Sequence, residues 1–595
     1  MQNCLIKEEL PEKVQKELSD YPEILSRLLY YRGIKSKKDA ENFLNPIFEN
    51  NNDPFKMLGM DKAVHRIFKA IDDNEKIVIY SDYDADGIPG AVILHDFFKK
   101  ISYENFENYI PHRVLEGFGL NDGAVDEFSK KNIGLIITVD CGIADIDEAK
   151  KIKEAGIDLI ITDHHLPTMS LHGIDELPEA VAILDSKQLK CNYPDKNLCG
   201  AGVAFKLVQA LIKKISESPS TALRATHLTA GWEKWLLDMV AVATISDMVP
   251  LVGENRIFAY YGLKVLRKSP RPGLQKLLSI IKVDQKNITE DDIGFMISPR
   301  INAASRMGIP EDAFNMLVTK DEDEAYKYAT HLNKINDERK GAVAQMVKEI
   351  KKHWNKFDPE KKRKVLVAGN PDWKPSLLGL VANSLMDEHD GPVFLWGREE
   401  GKTLKGSCRS CNGVDAVSLM RESAHLLIEY GGHSMSGGFS ISLEKVDLLA
   451  DGLEEAYEKI NTNKTEKEEL IADICLTIDD VNVNLEKEIK KLAPFGIDNP
   501  KPIFLFKNIE IEDVKIFGKK MEHLKIDFLN KKGKRISAIA FFKKPEDYSA
   551  CLPDHASGRR QVKIIKGEKI NLLANIEKSY FGGREEVRLR IVDMV

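Results

Sequence analysis

Residues 76–87 read KIVIYSDYDADG, an apolar run that leads directly into an acidic segment. Such a run, rich in β-branched side chains, is typical of a parallel strand that is buried on both faces. Two more runs of this kind follow, GLIITV at 134–139 and IDLIIT at 157–162, and segments with helical periodicity separate them. The alternation of buried strands with amphipathic helices predicts an α/β domain with a doubly wound parallel sheet.

Each of these runs ends in side chains that can bind a metal ion. The carboxyl ends of neighbouring parallel strands lie side by side, so groups that follow them would meet at one edge of the sheet. Acidic groups this close would repel one another unless a cation lay between them, and a mixture of carboxylates and imidazoles suits Mn²⁺ or Mg²⁺. The sequence therefore predicts a site for two divalent cations. Its groups, one of which comes from a later helical region, are Asp82, Asp84, Asp86, Asp140, Asp163, His164, His165 and Asp247.

Each group also has a simpler explanation. The D-x-D-x-D-G stretch could be a turn or a calcium loop, although the twelfth position counted from Asp82 is Ile93 and not the glutamate that closes such a loop. Asp163 could be a helix N-cap, and the two histidines after it could form a solvated turn. The recurrence of all these groups at strand ends, in chain order, favours the metal site over separate structural roles.

The composition describes an ordinary globular chain of several domains. A length of 595 residues predicts three or four domains, and the net charge of −7 does not by itself indicate a nucleic-acid partner. No apolar run approaches the roughly 20 residues that span a bilayer, and the first residues have no apolar core, so we expect no membrane segment or signal peptide. The eight cysteines are sparse, which fits the reducing cytoplasm. Cys408 and Cys411 have the C-x-x-C spacing of metal-binding and redox motifs, but no second pair completes a zinc site.

Positive charge is concentrated in residues 515–544. This segment holds ten Lys and Arg residues against two acids, and the basic residues alternate with Ile, Phe and Leu. The alternation predicts strands with one buried and one charged face. The segment is either a solvated basic sheet or a groove of the OB type, in which basic and aromatic side chains track a single strand.

The remaining periodicities divide the chain into five segments. Residues 319–357 contain one glycine and no proline and are rich in Lys, Glu and Ala, which predicts a long helix joining two lobes. Short apolar runs with glycine-rich turns follow, and then β-rich sequence. We expect a peripheral helical extension (1–60), the doubly wound domain (61–318), the connecting helix (319–357), a smaller α/β domain (358–462) and an OB-like β-barrel (463–595).

The assembled motifs resemble those of the DHH phosphoesterase superfamily. SDYDADG (81–87), ITVDCG (137–142), TDHH (162–165) and ATISDMVPL (243–251) are similar to its first four motifs, and FMISPRINAASRMG (295–308) is similar to an arginine-bearing fifth. GSCRS (406–410) and GGHSMSGGFS (431–440) resemble the DHHA1 domain, and PFGIDNPKPIF (494–504) resembles the beginning of an OB domain. Over nearly the whole chain, the combination is similar to the RecJ family of single-strand-specific exonucleases.

The resemblance implies a two-metal phosphodiesterase that uses Mn²⁺ or Mg²⁺. If the D-x-D-x-D segment is extended, its three aspartates share one face. Asp163 is expected to orient an imidazole, and His165 to contact the scissile phosphate or the leaving group. The ligands implied for one ion are Asp82, Asp84 and Asp140, and those for the other are Asp86, Asp140, His164 and Asp247, with Asp140 shared.

A pocket that binds a terminal phosphate should contain arginines and hydroxyl groups, because a guanidinium pairs with phosphate through two hydrogen bonds. Arg300 and Arg306 could instead close salt bridges between domains. Arg113 is a further candidate for contacting DNA, with a structural role as the alternative. By resemblance, the residues that bind a 5′-phosphate across the cleft between two lobes are Arg300, Arg306, Ser407 and Arg409, helped by Asn302 and His433.

The implied function is the 5′→3′ hydrolysis of single-stranded DNA to mononucleotides, in DNA repair and recombination. We expect a monomer that acts beside a single-strand-binding protein and a helicase. One rival is a hydrolase of short oligonucleotides or cyclic dinucleotides, whose resemblance ends with the second lobe. Another is a non-catalytic replication scaffold, which predicts eroded carboxylates, whereas every ligand position is filled here.

Overall fold

The computed structural model describes residues 6–170, 173–217, 228–229, 231–354, 363–398, 403–460, 471–518, 521–548, 564–581 and 584–594. These residues form two compact units. The α/β unit comprises the described residues of Asn52–Val249 and Tyr261–Glu468. The C-terminal unit comprises those of Met1–Asn51, Pro250–Tyr260 and Glu469–Val595.

The secondary structure follows the predicted alternation of elements. The strands are β1 (Lys76–Ser81), β2 (Phe106–Tyr109), β3 (Ile133–Val139), β4 (Asp158–Thr162), β5 (Thr168–Met169), β6 (Asp175–Glu176), β7 (Ala182–Leu184), β8 (Leu366–Gly369), β9 (Val393–Arg398), β10 (Thr403–Arg409), β11 (Leu427–His433), β12 (Ser436–Ser442), β13 (Ile474–Leu476), β14 (Phe504–Glu510), β15 (Asp513–Phe517), β16 (His523–Leu529), β17 (Arg535–Phe541), β18 (Lys569–Phe581) and β19 (Arg584–Met594). The α-helices are α1 (Glu12–Glu17), α2 (Glu23–Tyr30), α3 (Lys37–Leu44), α4 (Met60–Asp72), α5 (Gly87–Lys100), α6 (Asp122–Lys130), α7 (Ile146–Glu154), α8 (Gly200–Glu217), α9 (Leu237–Ser246), α10 (Gly253–Leu266), α11 (Pro272–Ile281), α12 (Glu290–Asp292), α13 (Ser298–Met307), α14 (Glu311–Val318), α15 (Glu322–Trp354), α16 (Pro375–His389), α17 (Ala416–Glu422), α18 (Leu449–Ile460) and α19 (Val483–Lys490). Among the described residues, no helix combines the length and the apolar character that a bilayer crossing requires.

A five-stranded parallel sheet in the order β2-β1-β3-β4-β7 forms the core of the α/β unit. The apolar runs of the sequence form β1, β3 and β4, and they are buried because helices cover the sheet, with α6 and α7 packed on one face. The predicted doubly wound fold is confirmed. The order of the strands reverses between β1 and β3, and ligands bind at such a switch point, beyond the carboxyl ends of the strands.

Small residues let α5 and α8 approach this switch point closely. A Cβ atom at Gly90 of α5 would lie 2.4 Å from Cγ1 of Val139 and 3.1 Å from Cα of Ala201. A Cβ atom at Gly200, the first residue of α8, would lie 2.5 Å from Cβ of Asp140. The beginning of α8 therefore lies directly against the end of β3.

The 33-residue helix α15 connects the parallel sheet to a second sheet, as predicted for a connecting helix. It packs against α11, α13 and α14, and towards its end Met346 and Ile350 enter a core shared with α16 and β9. The second sheet has the order β11-β12-β10-β9-β8, with only β8 and β9 parallel. Cys408 is buried in its core as a free thiol, which does not favour the metal or redox alternative.

The C-terminal unit contains a seven-stranded sheet in the order β13-β14-β18-β19-β17-β16-β15. Phe504 and Phe506 of β14 share one buried core with Leu524 and Ile526 of β16, although these strands are not neighbours. The sheet therefore curves around its core, in agreement with the predicted OB-like domain.

The N-terminal helices belong to this same core. Leu18, Leu25 and Leu29 are buried in one cluster with Phe504, and Lys7 Nζ lies 2.8 Å from Asp473 Oδ1. The expectation of a peripheral extension over residues 1–60 is therefore wrong for the described part of α1–α3. Helices of six to eight residues are marginal alone, so their apolar faces need a larger core. The other predicted domain boundaries stay a prediction.

Candidate metal centre

The ends of β1, β3 and β4 bring the predicted carboxylates and imidazoles together. His164 Nε2 lies 3.1 Å from Asp140 Oδ1 and 3.6 Å from Asp247 Oδ2. The groups form overlapping sets that adjoin at Asp140 and His164. Within each set the possible ligand atoms lie within 4.8 Å of one another, and the sets are Asp82, Asp84 and Asp140; Asp86, His164 and Asp247; and Asp140, His164 and His165.

The D-x-D-x-D segment is a turn and not an extended strand. Asp84 Oδ1 accepts hydrogen bonds from the N–H groups of Asp86 (2.7 Å) and Gly87 (3.2 Å), and α5 begins at Gly87. Aspartate side chains that bond the backbone two residues further on favour turns over extended chain. The extended conformation in which the three aspartates would share one face is therefore not adopted. The turn places Asp82 and Asp84 in one set and Asp86 in another.

Asp86 is fixed by the first turn of α8. Its carboxylate accepts hydrogen bonds from the N–H groups of Gly200 and Ala201, both at 2.7 Å. These donors and the positive end of the helix dipole stabilise the ionised form. Burial and the charge of Asp84 nevertheless outweigh them and raise the pKa of Asp86 to about 7.

Asp140 occupies a strained position between two of the sets. Its φ of 63° lies in the left-handed region, which costs a non-glycine residue about 1–2 kcal/mol. Its N–H donates to the carbonyl of Thr162 on β4 at 2.9 Å, and Gly200 leaves space for its Cβ. The neighbouring strand and α8 thus hold the backbone in the conformation that directs this carboxylate into the site.

The electrostatics of the site fit divalent cations. Asp82 Oδ1 is buried and has no hydrogen-bond partner within the described ranges. Burial and the charges of neighbouring aspartates raise the pKa of Asp82 and Asp140 well above the usual range, and that of Asp247 to about 8. A bound cation would offset both the repulsion and the lost hydration. Carboxylate and imidazole donors in this proportion suit Mn²⁺ or Mg²⁺.

Mn²⁺ affinity is expected to rise with pH. Because the pKa values of Asp86 and Asp247 are raised, ionisation destabilises the metal-free fold as pH rises through about 7 and 8. The cation binds the ionised carboxylates and displaces their protons. The association constant, measured by titration calorimetry, should increase about tenfold per pH unit for each displaced proton between about pH 6 and 8. The Asp247→Asn variant should show a smaller slope, and a pH-independent affinity of the unmodified protein would contradict this electrostatic account.

Asp163 holds His165 beside the metal-binding sets. Asp163 Oδ1 lies 2.8 Å from His165 Nδ1 and accepts from the N–H of His164 at 2.7 Å, while Oδ2 accepts from the N–H of Ile143 at 2.9 Å. Burial opposes protonation of the imidazole, but the hydrogen bond and the charge of Asp163 outweigh it and raise the pKa of His165 to about 9. Asp163 therefore favours the protonated form of this half-buried ring. It also lies within reach of Asp140 and His164, so geometry alone would admit it as a ligand.

A cluster of arginines adjoins the metal-binding sets. Burial and the charge of Arg113 lower the pKa of Arg306 to about 10, and Arg339 and Arg409 act in the same direction. Arg113 Cζ lies 4.9 Å from the ring centroid of Tyr83, within the turn that carries the aspartates. Guanidinium groups that repel one another in this way favour the binding of an anion.

Three of the predicted phosphate ligands lie against the N-terminal part of α16. Arg306 Nη1 donates to the carbonyl of Ser376 at 2.7 Å, and the hydroxyl of Ser376 donates to the carbonyl of Arg306 at 2.9 Å. A Cβ atom at Gly379 would lie 2.8 Å from Arg409 Nη2 and 3.1 Å from Ser407 Oγ. Predicted residues from both lobes therefore meet at the N-terminus of a helix, where backbone N–H groups attract anions.

Two other predicted substrate residues have different surroundings. Asn302 Oδ1 accepts a hydrogen bond from the N–H of Ala85 at 2.9 Å, so this side chain holds the D-x-D-x-D turn. His433 is exposed at the end of β11. Their predicted contacts with substrate stay predictions.

The face of α15 beside Arg300 was not singled out by the sequence motifs. Arg300 is buried, and it donates to Asn333 Oδ1 at 3.0 Å and to the carbonyl of Met296 at 2.6 Å. These contacts favour a structural role for Arg300 over the predicted phosphate contact, although they are hydrogen bonds and not the salt bridges named as the alternative. Asn336 and Arg339 follow at three-residue spacing on the same face; both amide atoms of Asn336 and Nε of Arg339 are buried with no partner in the described part of the chain. That spacing is the signal that could have identified them.

Known proteins resemble this chain in sequence and architecture. Family models match at residues 76–244 (DHH family, N-terminal domain), 362–459 (DHHA1 domain) and 472–593 (RecJ OB domain). The chain is 34% identical over 572 residues to the single-stranded-DNA-specific exonuclease RecJ of Bacillus subtilis, covering 96% of this chain and 67% of that protein. This chain belongs to the RecJ family. The resemblance drawn from the motifs is thereby confirmed.

Solved RecJ structures agree with the fold. RecJ of Thermus thermophilus in complex with Mn²⁺ superposes with a TM-score of 0.77 at 24% identity, over 100% of this chain and 80% of that chain. An exonuclease RecJ bound to manganese gives a TM-score of 0.57 at 30% identity, over 69% of this chain and 97% of that chain. The RecJ family thus includes proteins that bind the cation which the carboxylates and imidazoles of this site suit.

Proposed function

We propose that this chain is a metal-dependent, single-stranded-DNA-specific exonuclease that hydrolyses phosphodiester bonds in the 5′→3′ direction and releases mononucleotides. The observation that carries the proposal is the contact between two metal-binding sets at the switch point of the parallel sheet: Asp140 Oδ1 of the set with Asp82 and Asp84 lies 3.1 Å from His164 Nε2 of the set with Asp86 and Asp247. Membership of the RecJ family supports the same substrate and reaction.

The metal site supplies the central chemistry of the hydrolysis. Two divalent ions bound there would supply an activated water and offset the charge that develops on the attacking and leaving oxygens. His165, held in its cationic form by Asp163, would donate a hydrogen bond to the phosphate as negative charge develops. Asp163 acts through this imidazole and not as a ligand. The side chains that would hold the ions are Asp82, Asp84, Asp86, Asp140, His164 and Asp247.

Recognition of the 5′ end would depend on the arginine cluster. A terminal phosphate carries nearly two negative charges and an internal phosphodiester carries one, so clustered guanidinium groups favour the strand end. The N-terminus of α16 adds a partial positive charge beside Arg306 and Arg409. Arg339 and Asn336 present buried donors that need a partner, which supports their inclusion in the same pocket.

Arg409→Ala should reduce cleavage of 5′-phosphorylated DNA selectively. A hydrogen bond between charged groups contributes about 1.5–3 kcal/mol, so kcat/KM for the phosphorylated strand should fall about tenfold to a hundredfold. Cleavage of the 5′-hydroxyl strand should change by less than about threefold, because the lost contact is absent there. Arg398→Ala is the matched control, because Arg398 is exposed and lies on the neighbouring strand β9, at the end far from Arg409. An equal loss on both substrates would exclude Arg409 from end recognition.

We further propose that the C-terminal unit binds single-stranded DNA through an aromatic surface. The ring centroid of His523 lies 5.2 Å from that of Phe517 and 5.1 Å from that of Phe541, and Arg590 Cζ lies 4.1 Å from the Phe541 ring centroid. Phe542 is 75% exposed beside them. Aromatic rings with adjacent cations are suited to stacking bases and contacting phosphates. These rings support the proposal more than the lysines do, because several lysines pair with acids, as Lys515, Lys525 and Lys531 do. Lys519 and Lys520 lie outside the described residues.

The biological setting is proposed on the same basis. We infer a monomeric enzyme of the cytoplasm that acts in DNA repair and recombination, with a single-strand-binding protein and a helicase as partners. The buried free thiols of Cys141, Cys199 and Cys408 are compatible with a reducing compartment. Light scattering of the purified protein tests the monomer, and co-purification with each partner tests the interactions.

One assay tests the proposed function directly. Single and duplex strands labelled at either end are incubated with Mn²⁺ and the protein, and the products are sized over time. We expect immediate release of the 5′ label as a mononucleotide from single strands, progressive shortening of 3′-labelled strands, and resistance of blunt duplex. Faster hydrolysis of dinucleotides than of long strands would indicate an oligonucleotide phosphodiesterase instead. Binding without hydrolysis would indicate a scaffold.

A further inference from the structure

Phe118 is an exposed aromatic residue in contact with the candidate catalytic imidazole. The centroids of the Phe118 and His165 rings lie 5.6 Å apart at an interplanar angle of 76°, an edge-to-face contact. Despite this contact, Phe118 is 53% exposed. Phenylalanine is usually buried, and an exposed ring next to reacting groups is a surface that a ligand can cover.

The backbone around Phe118 is held in a defined conformation. Gly117 and Gly119 flank the residue with φ angles of 87° and 84°, a region that side chains rarely adopt. Asp145 Oδ2 accepts a hydrogen bond from the N–H of Leu120 at 2.7 Å, and lies 2.5 Å from the position of a Cβ at Gly119. The glycines therefore permit the conformation that places the ring beside His165, and the hydrogen bond to Asp145 holds the backbone two residues after Phe118.

The loop that holds Phe118, between β2 and α6, also carries a cation. Arg113 lies over Tyr83 in the aspartate turn, and its charge acts on Arg306 of the arginine cluster. The loop thus offers a positive group on the side of the phosphate-binding arginines and an aromatic face on the side of His165. The two groups together match a nucleotide, which joins an anionic phosphate to a flat base that stacks on aromatic rings.

We propose that Phe118 is the platform on which the base of a nucleotide flanking the scissile bond stacks. The proposal rests on the proposed exonuclease function and adds a positioning residue to it. Stacking would hold the nucleotide so that its phosphate faces His165 and the carboxylates. It would also apply to any base, because every base has a flat π-face, and would therefore give no sequence preference.

Abasic substrates test the contact between Phe118 and a base. Single strands with one abasic residue at the first, second, third or fourth nucleotide are compared with the intact strand, and the release of the 5′-terminal label is measured in a single turnover. In the unmodified protein, an abasic residue at one of the first two positions should slow cleavage about tenfold, the effect of one base–aromatic stack. In Phe118→Ala, the intact strand should be cleaved about tenfold more slowly, and the abasic residue at that position should cause no further loss.

Two control variants separate stacking from support of the histidine. Leu115→Ala removes a 75% exposed side chain of the same loop. Its cleavage rate should depend on the position of the abasic residue in the same way as that of the unmodified protein. Phe118→Trp should show the same dependence, because the larger ring still stacks. If Phe118→Ala slows intact and abasic strands by the same factor at every position, the ring only supports His165 and the proposal fails. An unmodified protein indifferent to abasic residues would overturn it too. Cleavage of the intact strand by the unmodified protein tests the exonuclease function separately.

Discussion

Replacing Asp140 with asparagine should lower kcat/KM on single-stranded DNA by about 10³-fold or more, with either Mn²⁺ or Mg²⁺. Asp140 belongs to the set with Asp82 and Asp84, and its Oδ1 lies 3.1 Å from His164 Nε2 of the set with Asp86 and Asp247, so loss of its charge should weaken both sets. Asparagine has the same shape and tolerates the left-handed backbone at φ 63°, so the fold should persist. Release of labelled mononucleotide measures the activity, and circular dichroism with thermal unfolding verifies the fold.

A matched control uses another aspartate of the same domain. Asp122 begins α6 and forms an exposed ion pair with Lys151, so Asp122→Asn should keep kcat/KM within about twofold. Retention of more than about one-tenth of the activity by Asp140→Asn would mean that the carboxylate is not central to the reaction.

Replacing His165 with alanine should lower turnover about 10²–10³-fold while leaving the number of bound Mn²⁺ ions near that of the unmodified protein. Asp163 holds the imidazole and favours its protonated form, and a protonated ring suits contact with a phosphate more than coordination of a cation. Metal content after gel filtration and single-turnover cleavage give the two measurements. Substitution of the exposed His65 on α4 is the control, and should alter neither.

Loss of bound Mn²⁺ in His165→Ala would reverse the assignment. It would make His165 a ligand in the set that contains Asp140 and His164. The two outcomes are distinguishable because a phosphate contact affects the rate alone, whereas a ligand affects both the rate and the metal content.

The clustering of the candidate metal ligands was predictable because it depends on local rules. The runs that end at Asp82, Asp140 and Asp163 are recognisable as buried strands, and parallel strands present their carboxyl ends at one edge. These residues could therefore be grouped although up to 81 positions separate them in the numbering from Asp82 to Asp163. The predicted helix at 319–357 is also a local property, and α15 follows it closely.

The interactions that escaped prediction join distant parts of the chain. Asp86 accepts hydrogen bonds from Gly200 and Ala201, which no periodicity near the D-x-D-x-D turn indicates. The N-terminal helices have apolar faces, but the pattern does not identify the core of the C-terminal unit as their partner. Similarly, nothing in the sequence distinguishes Arg339 from the other charged residues of a long helix. Only the structure shows that its Nε is buried with no partner among the described residues. Sequence patterns identify elements and their buried faces, whereas partner choice depends on the whole fold.

One motif contains two arginines, and only one of them lies near the other predicted phosphate ligands. Arg306 reaches the first turn of α16, near Arg409 and Ser407, an arrangement that is consistent with the proposed end recognition. Arg300, six residues earlier in the same motif, is bonded to Asn333 and Met296 instead. Two residues six positions apart on one helix point towards partly different neighbours. The shared motif therefore does not give them a shared role.

The most direct test of the two-metal site is anomalous diffraction from crystals of this protein soaked in Mn²⁺. Two peaks about 3.5–4 Å apart are expected at the carboxyl edge of the parallel sheet. Asp140 should contact both ions, with Asp82 and Asp84 on one side and Asp86 and Asp247 on the other. Well-ordered crystals with no anomalous peak there, or with these side chains turned away from one another, would contradict the two-metal account.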